Sequence, residues 1–381
     1  MLGFFAPRNT HAQIQKPLLW IEEDCQAFAV APDGKIAFAV RRIKGVKKLI
    51  LERDDLWVAE ADGKRRRILE GDKLIPYTEK MSYAIQAIRW SPDSRRLTVE
   101  MEIQSMGADA ATVGLGGKSI LLLDDNGSVI TVASNEPKPA SGAAAGSAPV
   151  KPSGFSSSDE SSDSSASGGA NAKSSRPGFI DGVADATWLA DGKTIAYLTG
   201  AGPYQINAIR PSDGKKSLLF EGKTFLAVAW DARHNGAVTV SSGLRGGETL
   251  IQLDLLHETL RDLAQIPGYD SNLSISPSGK RVGFFYNGDV LEVRDLANPN
   301  KPIDIRTGAG KFEWSKDERR VLLKRGPDKR SNNLVWITIP DGDFRPFMHD
   351  ILFHDFEIMP DGDTIAILEP GKRTLKIFRL E

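Results

Sequence analysis

One cysteine, Cys25, in 381 residues excludes an internal disulfide framework and any cysteine-only zinc site. Net charge is nearly absent too, since 49 basic residues against 50 acidic ones leave −1. No global field therefore draws the chain to nucleic acid or to an anionic membrane, and polyanion binding has to be local. No run approaches the roughly 20 apolar residues that cross a bilayer, so no transmembrane segment is expected. What is present is a hydrophobic fraction of 40%, enough for a substantial core, beside an ordinary charged fraction of 26%. Global disorder is excluded.

Residues 1–15, MLGFFAPRNTHAQIQ, look like the tail of a secretory signal, with an apolar piece at Leu2–Ala6 and a small-residue exit at Thr10-His11-Ala12. The segment is expected to be a signal remnant or a disordered end, with residues 16–381 forming one domain. Export gives a periplasmic or secreted location; the alternative is the cytoplasm.

The chain repeats itself. WSPDSRRLTVEM from Trp90, WLADGKTIAYLT from Trp188, ISPSGKRVGFFY from Ile275 and WSKDERRVLLKR from Trp314 are the best copies. VAPDGKIAFAV from Val30, IMPDGDTIAIL from Ile358 and the degraded WDARHNGAVTV from Trp230 complete the set. In each copy an apolar or Trp anchor ends one strand-like run, a Pro/Asp/Gly turn follows, and a second apolar run begins. Proline presets φ, Asp bonds its own following backbone and Gly accepts positive φ, which is the chemistry of a tight hairpin. A second hairpin follows most copies, as in LWVAEADGKRRRIL, ILLLDDNGSVITV and VWITIPDGDFRPF. Four antiparallel strands per repeat of 40 to 45 residues predict an all-β, seven-bladed β-propeller of four-stranded antiparallel blades. The last copy supplies only three strands, and PLLWIEE at Pro17–Glu23 is left over before the first. Pairing of this N-terminal strand with the last blade, at Thr374–Leu380, is expected to close the ring. Residues 135–177, rich in Ser, Gly and Ala, cannot bury enough apolar surface to offset chain entropy and are expected to be a disordered insertion.

Copies with PDGK or a close variant followed by Ile-Ala-Phe resemble PD40 (TolB-type) repeats, a WD40-like propeller family. The resemblance runs from about Val30 to the end; it implies a propeller and is nearly silent on function. The chain departs from TolB proteins in having no room for a separate α/β domain. Propeller peptidases carry an α/β-hydrolase domain with a G-x-S-x-G elbow, and both the length and the elbow are missing here.

Candidate chemistry is sparse. Among five histidines, only HDILFHD at His349–Asp355 clusters imidazoles with carboxylates; the reading adopted is a loop His plus a strand His, with a metal role for His354 beside Asp355 or Glu357 as the lesser one. Arg41, Arg42, Lys44, Lys47 and Lys48 could meet an anionic partner, against the reading of a solvated loop. Anchors Trp90, Trp188, Trp230 and Trp314 are assigned to packing between blades, and Cys25 to a small buried apolar role. Propeller topology puts the Pro-Asp-Gly turns on one face and the basic hairpin, the 106–118, 241–248 and 325–333 loops and the insertion on the other. Binding is expected on that second face and at the channel mouth, near Asp24, Tyr83, Asp181, Tyr269, Asp270 and His354. The resulting expectation is a monomeric, non-catalytic platform for a protein partner, with no cofactor, no metal and no nucleic acid. The alternatives are a propeller hydrolase or lyase acting on a glycan or lactone through Asp270, Asp181 and His354, and a cytoplasmic scaffold regulated through its Ser/Asp-rich loop.

Overall fold

A computed structural model of the chain describes residues 17–46, 49–60, 62–74, 81–106, 113–130, 179–200, 203–242, 247–308, 310–328, 331–351, 353–369 and 373–380. Residues 1–15 and the insertion at 135–177 lie outside the described residues. Helix among the described residues is confined to α1 (Gly71–Leu74) and a 3-10 turn (Ala232–His234); the rest of the regular structure is strand.

Strand β1 (Leu19–Ile21) stands apart from the repeats. The first repeat gives β2 (Cys25–Val30), β3 (Ile36–Val46), β4 (Leu49–Ala59) and β5 (Arg65–Leu69). The second gives β6 (Met81–Trp90), β7 (Arg96–Met106), β8 (Val113–Asp124) and β9 (Phe179–Asp181), and the third β10 (Val183–Trp188), β11 (Ile195–Thr199), β12 (Gln205–Arg210) and β13 (Lys215–Leu219). The fourth gives β14 (Ala227–Asp231), β15 (Gly236–Ser242), β16 (Glu248–Asp254) and β17 (Thr259–Ile266), and the fifth β18 (Ser271–Ile275), β19 (Arg281–Tyr286), β20 (Val290–Asp295) and β21 (Ile303–Arg306). The sixth gives β22 (Phe312–Trp314), β23 (Arg320–Asp328), β24 (Ser331–Thr338) and β25 (Phe344–Ile351), and the last β26 (Asp355–Ile358), β27 (Thr364–Leu368) and β28 (Leu375–Arg379). Each anchor thus ends, or nearly ends, the first strand of its repeat.

The turns explain why. In the first and last repeats Gly34 and Gly362 take φ of +88° and +74°, and Asp33 and Asp361 accept backbone N–H bonds from Lys35 and Asp363 at 3.2 and 2.9 Å. Ser94 and Glu318 hold the same left-handed position without glycine, at φ of 57° and 58°. Neighbouring turns are also tied to one another: Asp33 N donates to Ser94 Oγ, Ala190 N to Asn235 Oδ1, Ser278 N to Glu318 Oε1 and Lys316 Nζ to the Asp361 carbonyl. The turn face is short, and it is laced together.

The architecture is an all-β propeller of four-stranded antiparallel blades, and its sheet count differs from expectation. Among the described residues five four-stranded sheets stand separately, while the strands of the first two repeats form one eight-stranded sheet rather than two. The join is a single parallel bridge between Arg53 of β4 and Tyr83 of β6. Its cause is length. β3 and β4 run for eleven residues each, far beyond the five of β11 and β27, so the outer half of β4 reaches the ten-residue β6.

A second correction concerns the fourth strand of the second repeat, expected from the hairpin ILLLDDNGSVITV. Among the described residues the hairpin shows a bridge from Val129 to Leu123 and a bond from Ile130 N to the Leu122 carbonyl; its continuation lies outside them, and the outer edge of β8 beyond that point is taken by β9, with Leu121 opposite Phe179. The chain ends do pair: Leu19 stands opposite Ile377 and Ile21 opposite Leu375 in an antiparallel β1–β28 ladder.

Apolar side chains fill the spaces between successive repeats. Leu56 and Met101 share one cluster, Ile120 and Trp188 the next, and Phe225 and Leu253 another. The packing continues through Phe284, Phe312 and Phe356, and returns from Leu375 of β28 to Cys25 and Phe38 of the first repeat. Cys25 is fully buried, and burial pushes its thiol up to about 12. Each fully buried Leu, Ile or Phe contributes roughly 2 kcal/mol.

Candidate functional site

Inner strands β2, β6, β10, β14, β18, β22 and β26 surround a cavity of about 1090 Å³. It runs from the turn face, at Pro32, Pro277 and Pro360, to the opposite face, at Arg41, Glu52 and Gln104. β-Bulges interrupt the register of β2 between Cys25 and Ala27, of β6 between Ile85 and Ala87, and of β10 between Ala184 and Ala186. A bulge re-aims the extra side chain. Gln26 and Gln86 line the cavity as a result, and Asp185, at φ +50°, reaches two of its walls: Arg89 Nη2 donates to Asp185 Oδ1 at 2.7 Å and Trp230 Nε1 to Asp185 Oδ2 at 2.9 Å.

A second charged group lies on the two inner strands of the last repeats. Lys311 Nζ contacts Asp355 Oδ1 at 2.8 Å, the Phe356 carbonyl at 2.7 Å and Glu313 Oε1 at 3.2 Å. Burial opposes the charge on Lys311, yet Glu313 and Asp355 prevail and raise its pKa. Burial, with Glu313 adding to it, pushes the Glu357 carboxyl up to about 8 although Lys311 and Arg89 pull the other way. Glu313 is raised as well, again by burial. A carboxyl poised near neutrality in a cleft can hold or release a proton at physiological pH.

The residues expected to form a site scatter. Arg41, Tyr83 and His354 line the cavity, but Asp24, Tyr269 and Asp270 are not among its described lining residues. Arg41 is committed to Asp54 at 2.6 Å and to Glu52 within the hairpin, and Arg42 to Asp55 of the hairpin at 3.3 Å and to Glu23 before β2 at 3.4 Å, so both are paired. Lys44 is exposed; Lys47 and Lys48 lie outside the described residues. Asp24 accepts from Gln26 Nε2 at 2.8 Å. Tyr83 is buried: its hydroxyl donates to the Asp54 carbonyl at 3.0 Å, and burial raises its pKa. Asp181 ends β9, where its backbone pairs with Ser119, and its side chain is outside the described set. Tyr269 packs its ring on Phe284 at 6.4 Å, and Asp270 accepts the Gly288 N–H at 2.6 Å, which makes it a turn cap. His354 is exposed at the cavity, while no group of three His, Cys, Asp or Glu able to hold a metal occurs among the described residues. The anchors divide. Trp188 and Trp314 are buried and Trp90 and Trp230 half-buried; all four pack on the clusters between repeats, and Trp90, Trp230 and Trp314 also line the cavity.

Arg89, Glu313 and Glu357 escape motif reading because no local pattern links residues this far apart in sequence. A repeat-aligned signal exists: each stands immediately before its anchor, at Trp90, Trp314 and Ile358, and that column of the repeat faces the cavity.

No family model and no curated protein matches the sequence. Solved structures match on fold. One similar chain belongs to a crystal structure of the mitotic checkpoint complex, with TM-score 0.57, 11% identity, and coverage of 100% of this chain and 98% of that one. As many as 1078 chains match, so the likeness defines the class as β-propeller and selects no partner.

Proposed function

We propose that the chain is a non-catalytic β-propeller platform that binds a protein partner through the face bearing its long hairpins. One observation carries this reading: strand lengthening is one-sided. β3, β4, β7 and β8 extend to eleven or twelve residues on the face opposite the short, mutually bonded turns. A rigid scaffold with elaboration on one face is the usual arrangement of a recognition surface. We read the eight-stranded sheet as two repeat units bridged at one point, giving seven blades closed by β1 on β28. The PDGK turns support kinship with TolB-type repeats, and with it a place in the cell envelope or periplasm. Photo-crosslinkers at Lys44 and Gln104 on the hairpin face, and at Asp361 on the turn face, test the idea in native extract; the same adduct from all three positions, or none from the first two, would contradict it.

A second reading rests on Glu357. Its elevated carboxyl, with Glu313, Lys311 and His354 on the same cavity, suits proton transfer in a hydrolase or lyase acting on a glycan or lactone. Turnover of such a substrate that is lost in Glu357→Gln, with the fold intact, would favour it over the platform.

A further inference from the structure

The two cations at the acid wall of the cavity are already bonded. Lys311 Nζ has three N–H groups and meets three acceptors, Asp355 Oδ1 at 2.8 Å, the Phe356 carbonyl at 2.7 Å and Glu313 Oε1 at 3.2 Å. Arg89 turns Nε and Nη2 onto one oxygen of Asp185, at 3.0 and 2.7 Å. The carboxyls of Asp185, Glu313, Asp355 and Glu357 thus share Lys311 and Arg89, and Glu357 accepts a hydrogen bond from neither. No other donor among the described residues reaches it.

Glu357 nevertheless lines the cavity, one residue before the Ile358 anchor. Glu313 stands in the same column of the contacting inner strand β22, before Trp314. Elsewhere in that column the lining side chains Ala29, Thr187 and Ser274 are small, which leaves open volume beside the acids. The charged groups facing Glu357 are Glu313 and Lys311 from β22, Asp355 from its own strand and Arg89 from β6. β2 brings Gln26 and Ala29 to the same cavity, and neither titrates.

A carboxyl so placed is satisfied by a proton or by a cation that enters the cavity. A divalent metal is the wrong cation: it takes roughly six oxygens, and no group of three His, Cys, Asp or Glu able to hold one occurs among the described residues. An alkylammonium fits better. Its three N–H donors match the two oxygens of Glu357 and the second oxygen of Glu313, while its stem can lie along Ala29 and the half-buried Trp90, whose indole is held on the Ala29 carbonyl at 3.1 Å.

We propose that Glu313 and Glu357 bind the primary ammonium of a small aliphatic amine that enters the cavity, Lys311 and Arg89 being held away from Glu357 by Asp355 and Asp185. Binding exchanges the proton of Glu357 for the charge of the ligand. This goes beyond the partner-binding reading and needs no proton transfer to a substrate.

Calorimetric titration of the full chain with pentylamine, and with pentanol, tetramethylammonium and potassium as comparisons, tests the proposal. One pentylammonium is expected to bind per chain and each comparison more weakly, because the alcohol lacks the charge, tetramethylammonium the N–H donors and potassium the stem. Burial, with Glu313 adding to it, pushes the Glu357 carboxyl up to about 8, so affinity is expected to rise about tenfold from pH 6 to pH 7 and to level off above pH 8. Titrations at pH 6.5 in buffers of different ionisation enthalpy are expected to show about one proton released per ligand. Glu357→Gln is expected to weaken binding about tenfold or more and to abolish the release, and Glu313→Gln to weaken binding as well. The release is read on the parent chain, so it stands whatever the variants do to folding. No binding up to about 10 mM, equal binding of any comparison, binding without proton release, or unchanged affinity in a folded Glu357→Gln would each overturn the proposal. Crosslinking to a protein partner and turnover of a glycan or lactone are separate measurements, and either can succeed when this one fails.

Discussion

Trp230 and Asp185 meet across two repeats: the indole of the fourth donates to a carboxylate carried beside the bulge of the third, at 2.9 Å. Arg89 of the second repeat holds the same carboxylate, so three inner strands share one hub. Asp185→Asn keeps a residue that tolerates φ +50° and an acceptor for the half-buried indole while removing the charge, whereas Asp185→Ala leaves the Trp230 N–H without that acceptor and frees the exposed Arg89, on a backbone that alanine resists. Denaturant unfolding is expected to show a loss of about 1 kcal/mol for Asn and about 3 kcal/mol for Ala. Equal losses would mean that the left-handed backbone carries no cost.

Glu357 gives stability a pH dependence of definite sign. A carboxyl raised from 4.5 to about 8 in the folded chain binds its proton there more tightly than in the unfolded chain, so stability falls as pH rises across that window and levels off above it. Glu357→Gln removes this slope. Thermal melts are expected to show the variant about 3 °C more stable than the parent at pH 9 and equal to it at pH 4. Parallel profiles would place the titration elsewhere, with Glu313 as the next group to replace.

The seam between the first two repeats is a tight fit. A Cβ on Gly71 would collide with the Tyr83 hydroxyl and sit 3.0 Å from the Asp54 carbonyl. Tyr83→Phe removes the hydroxyl that donates to Asp54, at about 1 kcal/mol. Gly71→Ala is expected to cost at least 2 kcal/mol alone and about 1 kcal/mol less on the Tyr83→Phe background. Additive losses in the double-mutant cycle would show that the two groups do not compete for the same space.

β1 covers an edge that would otherwise be open. Ile21 is fully buried against β28 and the first repeat, so Ile21→Ala is expected to cost about 3 kcal/mol by chemical denaturation. Deleting residues 1–22 is expected to give a chain that self-associates through the exposed β28, read as a rise in sedimentation coefficient with concentration. A monodisperse, stable truncation would remove the structural role of that strand.

What could be read from the sequence follows the range of the physics involved. The turns at Asp33–Gly34 and Asp361–Gly362 announce themselves because a hairpin is decided within a few residues, and the orphan run at Pro17–Glu23 pointed to β28 because the last repeat lacked a strand. The fused sheet was not legible. It depends on Arg53, Asp54 and Tyr83 being buried together, with Asp54 taking bonds from Arg41 and from the Ile85 N–H, and charged residues in a polar hairpin give no sign that they will be covered. The cavity cluster was hidden for a related reason: Asp185, Lys311 and Glu357 gather only when distant inner strands are set around one axis. Asp270, chosen for its place at a strand entry, instead caps a turn through Gly288, which is the commoner use of an Asp before a strand.

Hydrogen exchange of the chain with and without a crosslinked partner tests the platform reading most directly. Protection is expected over 41–54, 81–86, 101–106 and 325–328, the hairpins of one face. Protection confined to the turns at 32–35, 190–193 and 360–363, or to the outer strands, would contradict it.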